Sequence, residues 1–251
     1  MKKALLSALM GLAVLASCNK EATPTSTISL RTLNYQMSGS MYTKSATADD
    51  VVSLISSALP EHLPIVLIGQ TNGRTITTAT GEATNIPSDT YSVTGTFIGT
   101  QVGRNITSNG ASIQSEPAFH VQRSLTITDD ETEYTLSASY DCFALVCDMT
   151  LVESISFTNG WSEENTITPT VLNDTGIFYA YGDYDSNYLH ITITPKDTDV
   201  YRVTEYTICT SNRQDLQRAE KGKWYLVSPC MTGIQPKLIA YDLPTMTQGT
   251  F

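Results

Sequence analysis

Apolar side chains recur at every second position through most of the chain beyond residue 65, which is the period of a β-strand with one buried face. In Thr90-Tyr91-Ser92-Val93-Thr94-Gly95-Thr96-Phe97 the odd positions are apolar or glycine and the even ones carry hydroxyls. One face therefore goes to a core and the other to water. Phe119, Val121, Leu125 and Ile127 share a face in the same way, as do Tyr134, Leu136, Ala138 and Tyr140. The alternation returns in 188–194, 200–209 and 223–227. Turn signals separate these runs: Asn72-Gly73, Asn109-Gly110, Asn159-Gly160 and Lys221-Gly222.

Two stretches depart from this period. From Asp141 to Met149 both alternating sets are apolar, with Phe143, Leu145, Cys147 and Met149 opposing Cys142, Ala144 and Val146. Such a strand is expected to be covered on both sides. The candidate cover is the one segment with helical spacing. Thr47-Ala48-Asp49-Asp50 offers capping oxygens, after which Val51, Val52, Leu54, Ile55, Ala58 and Leu59 recur at helical intervals until Pro60. These elements predict an all-β fold of two β-sandwich domains with one short helix. The polar, turn-bearing stretch 158–165 is the expected boundary, giving sandwiches at 28–158 and 159–251, with a single continuous sandwich as the alternative.

The first residues follow a different logic. Lys2 and Lys3 precede an apolar run from Ala4 to Ala16, the order of a signal peptide at residues 1–17. The run is shorter than the roughly 20 apolar residues a permanent membrane span requires. It ends on Leu15-Ala16-Ser17-Cys18, which resembles a bacterial lipobox whose cysteine is acylated and becomes the new N-terminus. The alternative is a plain signal peptide with an incidental cysteine. Acyl chains on Cys18 would anchor the protein to the outer membrane, each buried methylene contributing about 0.8 kcal/mol. Residues 18–27, rich in Thr, Pro and Ser, have the composition of a flexible tether.

Charge narrows the partners. Without Lys2 and Lys3 the chain keeps 15 − 2 = 13 basic residues against 25 acidic ones, a net charge of −12. Nucleic acid is excluded as a partner, because its binding needs basic clusters on phosphates. Catalysis finds little support. His120 and His190 fall on polar strand faces, His62 lies in a proline-flanked turn, and Asp129-Asp130-Glu131 occupies a turn that favours acidic residues for local reasons. No serine sits in a nucleophile elbow and no glycine pattern precedes a helix as a phosphate loop would. The expectation is a protein that is not an enzyme and carries no cofactor. Asp183-Tyr184-Asp185-Ser186-Asn187 begins like a calcium loop, but Tyr188 replaces its glycine and Thr194 its closing glutamate, so no metal is expected.

Tyr179, Tyr181, Tyr184 and Tyr188 are densely placed. Exposed, they could stack on sugar rings or pack on a protein partner; paired across strands, they would form an aromatic hairpin, the favoured reading. Cys142 and Cys147 are five apart, roughly 17 Å along a strand and on opposite faces, too far for the about 7 Å between disulfide α-carbons. Cys209 and Cys230 lie near the ends of adjacent predicted strands and could be bridged; each alone is a small buried hydrophobe.

The run Ile86-Pro87-Ser88-Asp89-Thr90-Tyr91-Ser92-Val93, then Glu116-Pro117-Ala118-Phe119, then Leu125-Thr126-Ile127-Thr128-Asp129-Asp130-Glu131 resembles fimbrillin-related lipoproteins of the Bacteroidales. Asp89 stands where that family usually has glycine. The resemblance spans roughly residues 60–155 and implies transthyretin-like sandwiches on the cell surface or outer membrane, acting in fimbria assembly or adhesion. Their partners would be pilus subunits or host and bacterial surface ligands. It further implies protease processing of an early strand at Arg31, against an uncut first strand as the plain alternative. A carbohydrate-binding lipoprotein of a glycan-uptake system, with the tyrosines as platform, is the second functional expectation.

Overall fold

The computed structural model describes residues 48–60, 63–79, 83–102, 111–128, 134, 136–158, 164–185, 188–213, 215–243 and 246–247. Helix α1 (Ala48–Ser57) forms where the helical spacing predicts it, with Asp49 and Asp50 in its first turn against the exposed N–H groups. At its other end the Ser56 and Ser57 hydroxyls donate to the Val52 and Leu54 carbonyls, and Pro60 stands just beyond. In chain order the strands are β1 (Ile65–Gly69), β2 (Thr75–Thr78), β3 (Asp89–Phe97), β4 (Ser112–Gln114), β5 (Phe119–Ile127), β6 (Ser137–Tyr140), β7 (Cys142–Asp148), β8 (Val152–Thr158), β9 (Asn165–Ile167) and β10 (Thr170–Leu172). There follow β11 (Thr175–Tyr181), β12 (Leu189–Pro195), β13 (Tyr201–Arg202), β14 (Thr204–Cys209), β15 (Gln217–Arg218), β16 (Lys223–Leu226), β17 (Cys230–Met231), β18 (Ala240–Asp242) and β19 (Met246–Thr247).

A first sheet runs β19-β6-β5-β3-β1-β2. Its inward face includes the alternating sets read from the sequence, with Tyr91, Val93, Val121, Leu125, Ile127, Tyr134 and Leu136 buried, joined by Ile65, Leu67 and Ile86. Ser92, Thr94, Gln122 and Ser124 face outward. The hairpin between β1 and β2 turns at Asn72-Gly73, with Gly73 at φ +63°. Asp89, at the head of β3, holds that turn. Its carboxylate accepts from the amides of Thr71, Asn72 and Thr90 at 2.7–3.2 Å, a role that glycine could not fill.

A second sheet, β10-β11-β7-β16-β18 with β4 also on β11, packs against a third, β15-β14-β12-β8-β9. Phe143, Leu145, Cys147, Phe178 and Tyr225 of one meet Ile155, Phe157, Ile191, Ile193, Tyr206 and Ile208 of the other in a sandwich core. All seven residues of β7 are buried, as its two apolar faces require. The face opposite the sandwich, Cys142, Ala144 and Val146, lies in one cluster with Val51, Leu54 and Ile55 of α1. The helix thus lies on this face of the second sheet, nearest β10 and β11, and shares the cluster that covers the doubly apolar strand, so the second part of the molecule has three layers: helix, sheet, sheet.

The structural division differs from the one expected at 158–159. Strands β4, β7 and β8 all belong to the second and third sheets, so the chain leaves the first sheet for good between Tyr140 of β6 and Cys142 of β7, apart from its return in β19. The polar stretch near 160 connects β8 to β9, which pair antiparallel with Ile155 opposite Ile167. Both flanks of the expected boundary therefore lie in one sheet, and turn residues of this kind occur within sheets as well as between domains.

Candidate functional site

The four tyrosines do not converge on a surface. Tyr179 and Tyr184 are fully buried. Tyr179 lies beside Ala144 under α1, and burial raises its hydroxyl's pKa well above the ordinary range. Tyr184 packs edge-on to Phe143 and donates from its hydroxyl to the Ser112 carbonyl at 3.0 Å. Neither is available to a ligand. The aromatic hairpin is also corrected: β11 and β12, which flank the cluster, lie in different sheets. Tyr181 is half-buried at the end of β11. Tyr188 is half-exposed, with the Arg213 guanidinium 5.1 Å from its ring centroid and hydrogen-bonded to its hydroxyl. Double apolar alternation in Ile177-Phe178-Tyr179-Ala180 is the sequence signal for this burial, the same signal that identified β7.

The Cys209 to Cys230 bridge does not form; both are free thiols. The Cys230 amide donates to Thr204 Oγ1 at 2.8 Å, which places it at the start of β14, whereas Cys209 closes that strand. Five residues of strand separate the two positions by roughly 17 Å. Cys18, Arg31, His62 and Asp129-Asp130-Glu131 lie outside the described residues.

The outer faces of the first and third sheets carry rows of hydroxyls. On the third sheet Thr158, His190 and Thr207 stand in one cross-strand row and Ser156, Thr192 and Glu205 in the next. On the first, Thr90 faces Thr126, Ser92 faces Ser124, Thr94 faces Gln122 and Thr96 faces His120. At the end of that last array the chain turns through Asp141, where a groove of about 420 Å³ opens, lined by Thr94, Thr96, His120, Gln122 and Asp141. His120 Nδ1 is 2.9 Å from Asp141 Oδ1, and Lys221 Nζ lies 3.9 Å from the same oxygen and 3.3 Å from Asp183. Asp141 donates its own amide to the Ala118 carbonyl at 2.9 Å. This carboxylate, which sequence reading passed over, is signalled by a charge at the head of an otherwise apolar strand.

The last strands are built into the molecule. Lys223 pairs with Asp242, Trp224 with Tyr241 and Tyr225 with Ala240, while the Trp224 and Tyr241 rings stack at 4.3 Å. β19 then crosses to the edge of the first sheet, with Met246 opposite Ala138.

No family model matches the chain, and no curated protein matches it. Among solved structures it is similar to a candidate cell adhesion protein of Bacteroides uniformis, at 9% identity over 74% of this chain and 93% of that one, with a TM-score of 0.42. A candidate cell adhesion protein of Parabacteroides distasonis shows 10% identity, 90% and 98% coverage and a TM-score of 0.38. One from Bacteroides fragilis shows 10% identity, 91% and 99% coverage and a TM-score of 0.32.

Proposed function

We propose that this chain is a lipid-anchored surface protein that works by non-catalytic contact, in adhesion or at a fimbria, and that it serves there as a stand-alone, anchor or terminal component. Support for export and anchoring comes from the basic, apolar and Leu15-Ala16-Ser17-Cys18 sequence of residues 1–18. The narrower reading draws its support from β18 and β19, both of which are paired among the described residues. A repeating subunit held by strand addition must offer a free strand to its neighbour. Here β18 is spent on β16 and β19 on β6.

The test is made on cells. The parent protein should incorporate labelled palmitate and the Cys18→Ala variant should not. N-terminal sequencing of the surface protein reports whether processing occurs at Arg31. Cells displaying the parent should attach to host or bacterial surfaces without a ladder of non-covalent polymers that survives unheated detergent and collapses on boiling; a ladder would refute the terminal role, and an unmodified Cys18 the anchored one. A second reading, a carbohydrate-binding surface lipoprotein, draws its support from the groove beside Asp141 instead of the tyrosines.

A further inference from the structure

We infer that the groove where β3 and β5 meet Asp141 is a saccharide-binding site, engaging a neutral glycan through its hydroxyls. The inference rests on reading the chain as a surface-anchored binding protein. The groove is open to solvent, with a volume of about 420 Å³, and it lies where the outer face of the first sheet meets the turn into β7.

The lining selects the ligand class. Thr94, Thr96, His120 and Gln122 project outward in two register pairs, Thr94 with Gln122 and Thr96 with His120. Neighbouring strands set these groups about 4.8 Å apart in one direction, and alternate residues about 6.7 Å apart in the other. Val121 turns its side chain into the core, so an apolar ligand finds no complementary wall. An anion meets the Asp141 and Asp183 carboxylates, with Lys221 already engaged by both. A polyhydroxylated neutral molecule matches what remains. Its hydroxyls can donate to Asp141 and Gln122 Oε1 and accept from Gln122 Nε2 and the threonine hydroxyls. The backbone at Asp141 is set before any ligand arrives by its amide's hydrogen bond to the Ala118 carbonyl, with His120 Nδ1 2.9 Å and Lys221 Nζ 3.9 Å from one carboxylate oxygen. A pre-set acceptor lowers the ordering cost of binding.

The full-length protein, held in a sugar-free zwitterionic detergent, is titrated with methyl glycosides of mannose, galactose, glucose and N-acetylglucosamine and with their β-linked oligomers. Binding is read by saturation-transfer NMR and calorimetry. At least one probe should bind. Gln122→Ala and Thr94→Ala, both at exposed positions and expected to fold as the parent does, should each weaken that binding about two- to tenfold. Asp141→Asn should weaken it further, and Thr192→Ala on the third sheet should leave it unchanged. Absence of binding by every probe, or equal binding by the parent and both groove variants, overturns the assignment. Cell attachment separates the two levels. If parent cells attach but no saccharide binds, the saccharide site fails and the adhesive reading stands. If the parent is neither acylated nor adhesive, that reading fails itself.

Discussion

Replacing Ile55 with alanine tests the packing on which the second part of the fold depends. Ile55 is fully buried in the cluster that joins α1 to Cys142, Ala144 and Val146 of β7. The substitution removes three carbons, about 0.8 kcal/mol each by transfer, or about 2.4 kcal/mol. Incomplete collapse around the hole adds a cavity contribution, so the expected loss falls within about 2–5 kcal/mol. Ser53, on the exposed side of the same helix, supplies the control: Ser53→Ala should change stability by less than about 0.5 kcal/mol. Urea denaturation followed by tryptophan emission measures both, with Trp224 reporting from the cluster itself. Thiol labelling then resolves the two faces of β7. Cys142 belongs to the cluster that includes the helix and Cys147 to the sandwich core, so Ile55→Ala should accelerate modification of Cys142 ahead of Cys147. A loss below about 0.5 kcal/mol, or equal acceleration of both thiols, would refute the helix as part of the cover of this strand.

Asp89 is held below the ordinary carboxylate value of 3.8, chiefly by the Asn72 amide and further by the amides of Thr90 and Thr71. Because its folded value is depressed, its stabilisation is full above the unfolded value and is lost as pH falls through the folded one. The stability gap between the parent and Asp89→Asn, read by urea titration at several pH values, should therefore be widest above about pH 5, narrow from about 3.8 downward and close only below the depressed folded value. Burial pushes the Cys142 and Cys147 thiols up to about 12, so both should resist alkylation in the native protein and react once it unfolds. Under denaturing but non-reducing conditions Cys209 and Cys230 should each take up one alkyl group, and a mass showing them joined would refute the placement of Cys230 at the start of β14. Tyr184→Phe deprives the Ser112 carbonyl of its donor and should cost about 1–3 kcal/mol, whereas Tyr188→Ala should stay within about 0.5 kcal/mol; denaturation curves of both decide whether the tyrosines are core or platform.

What could be read in advance was whatever depends on a single segment's own periodicity. The faces of β3 and β5, the helix and its stop, and the double burial of β7 follow from spacing, because each is set by residues within about ten positions of one another. Neighbours across sheets are not so encoded. β4 is a buried three-residue strand, Ser112-Ile113-Gln114, with no alternation to announce it, and its place beside β11 is a long-range pairing. The stretch near 160 carries the same limit: turn-rich composition occurs both within sheets and between domains, and that its two flanks pair, Ile155 with Ile167, is not written in either flank. The tyrosines show the same limit. Alternation puts Tyr179 and Tyr181 on one face of β11, but whether that face is wet depends on α1, more than a hundred residues earlier.

Asp141 joins these two kinds of information. Its neighbours Tyr140 and Cys142 belong to different sheets, so a charged side chain falls at the one point where β6 and β7 adjoin and the chain must change layers. A carboxylate there cannot enter either core without a large desolvation cost. It faces outward, and the groups that settle on it come from both sides of the seam: His120 from the first sheet and Lys221 from the turn before β16 in the second. The polar groove is in this sense a consequence of topology. A crossover that must keep a charge in water leaves an accessible acceptor beside the outer face of a sheet, and alternation has already lined that face with hydroxyls.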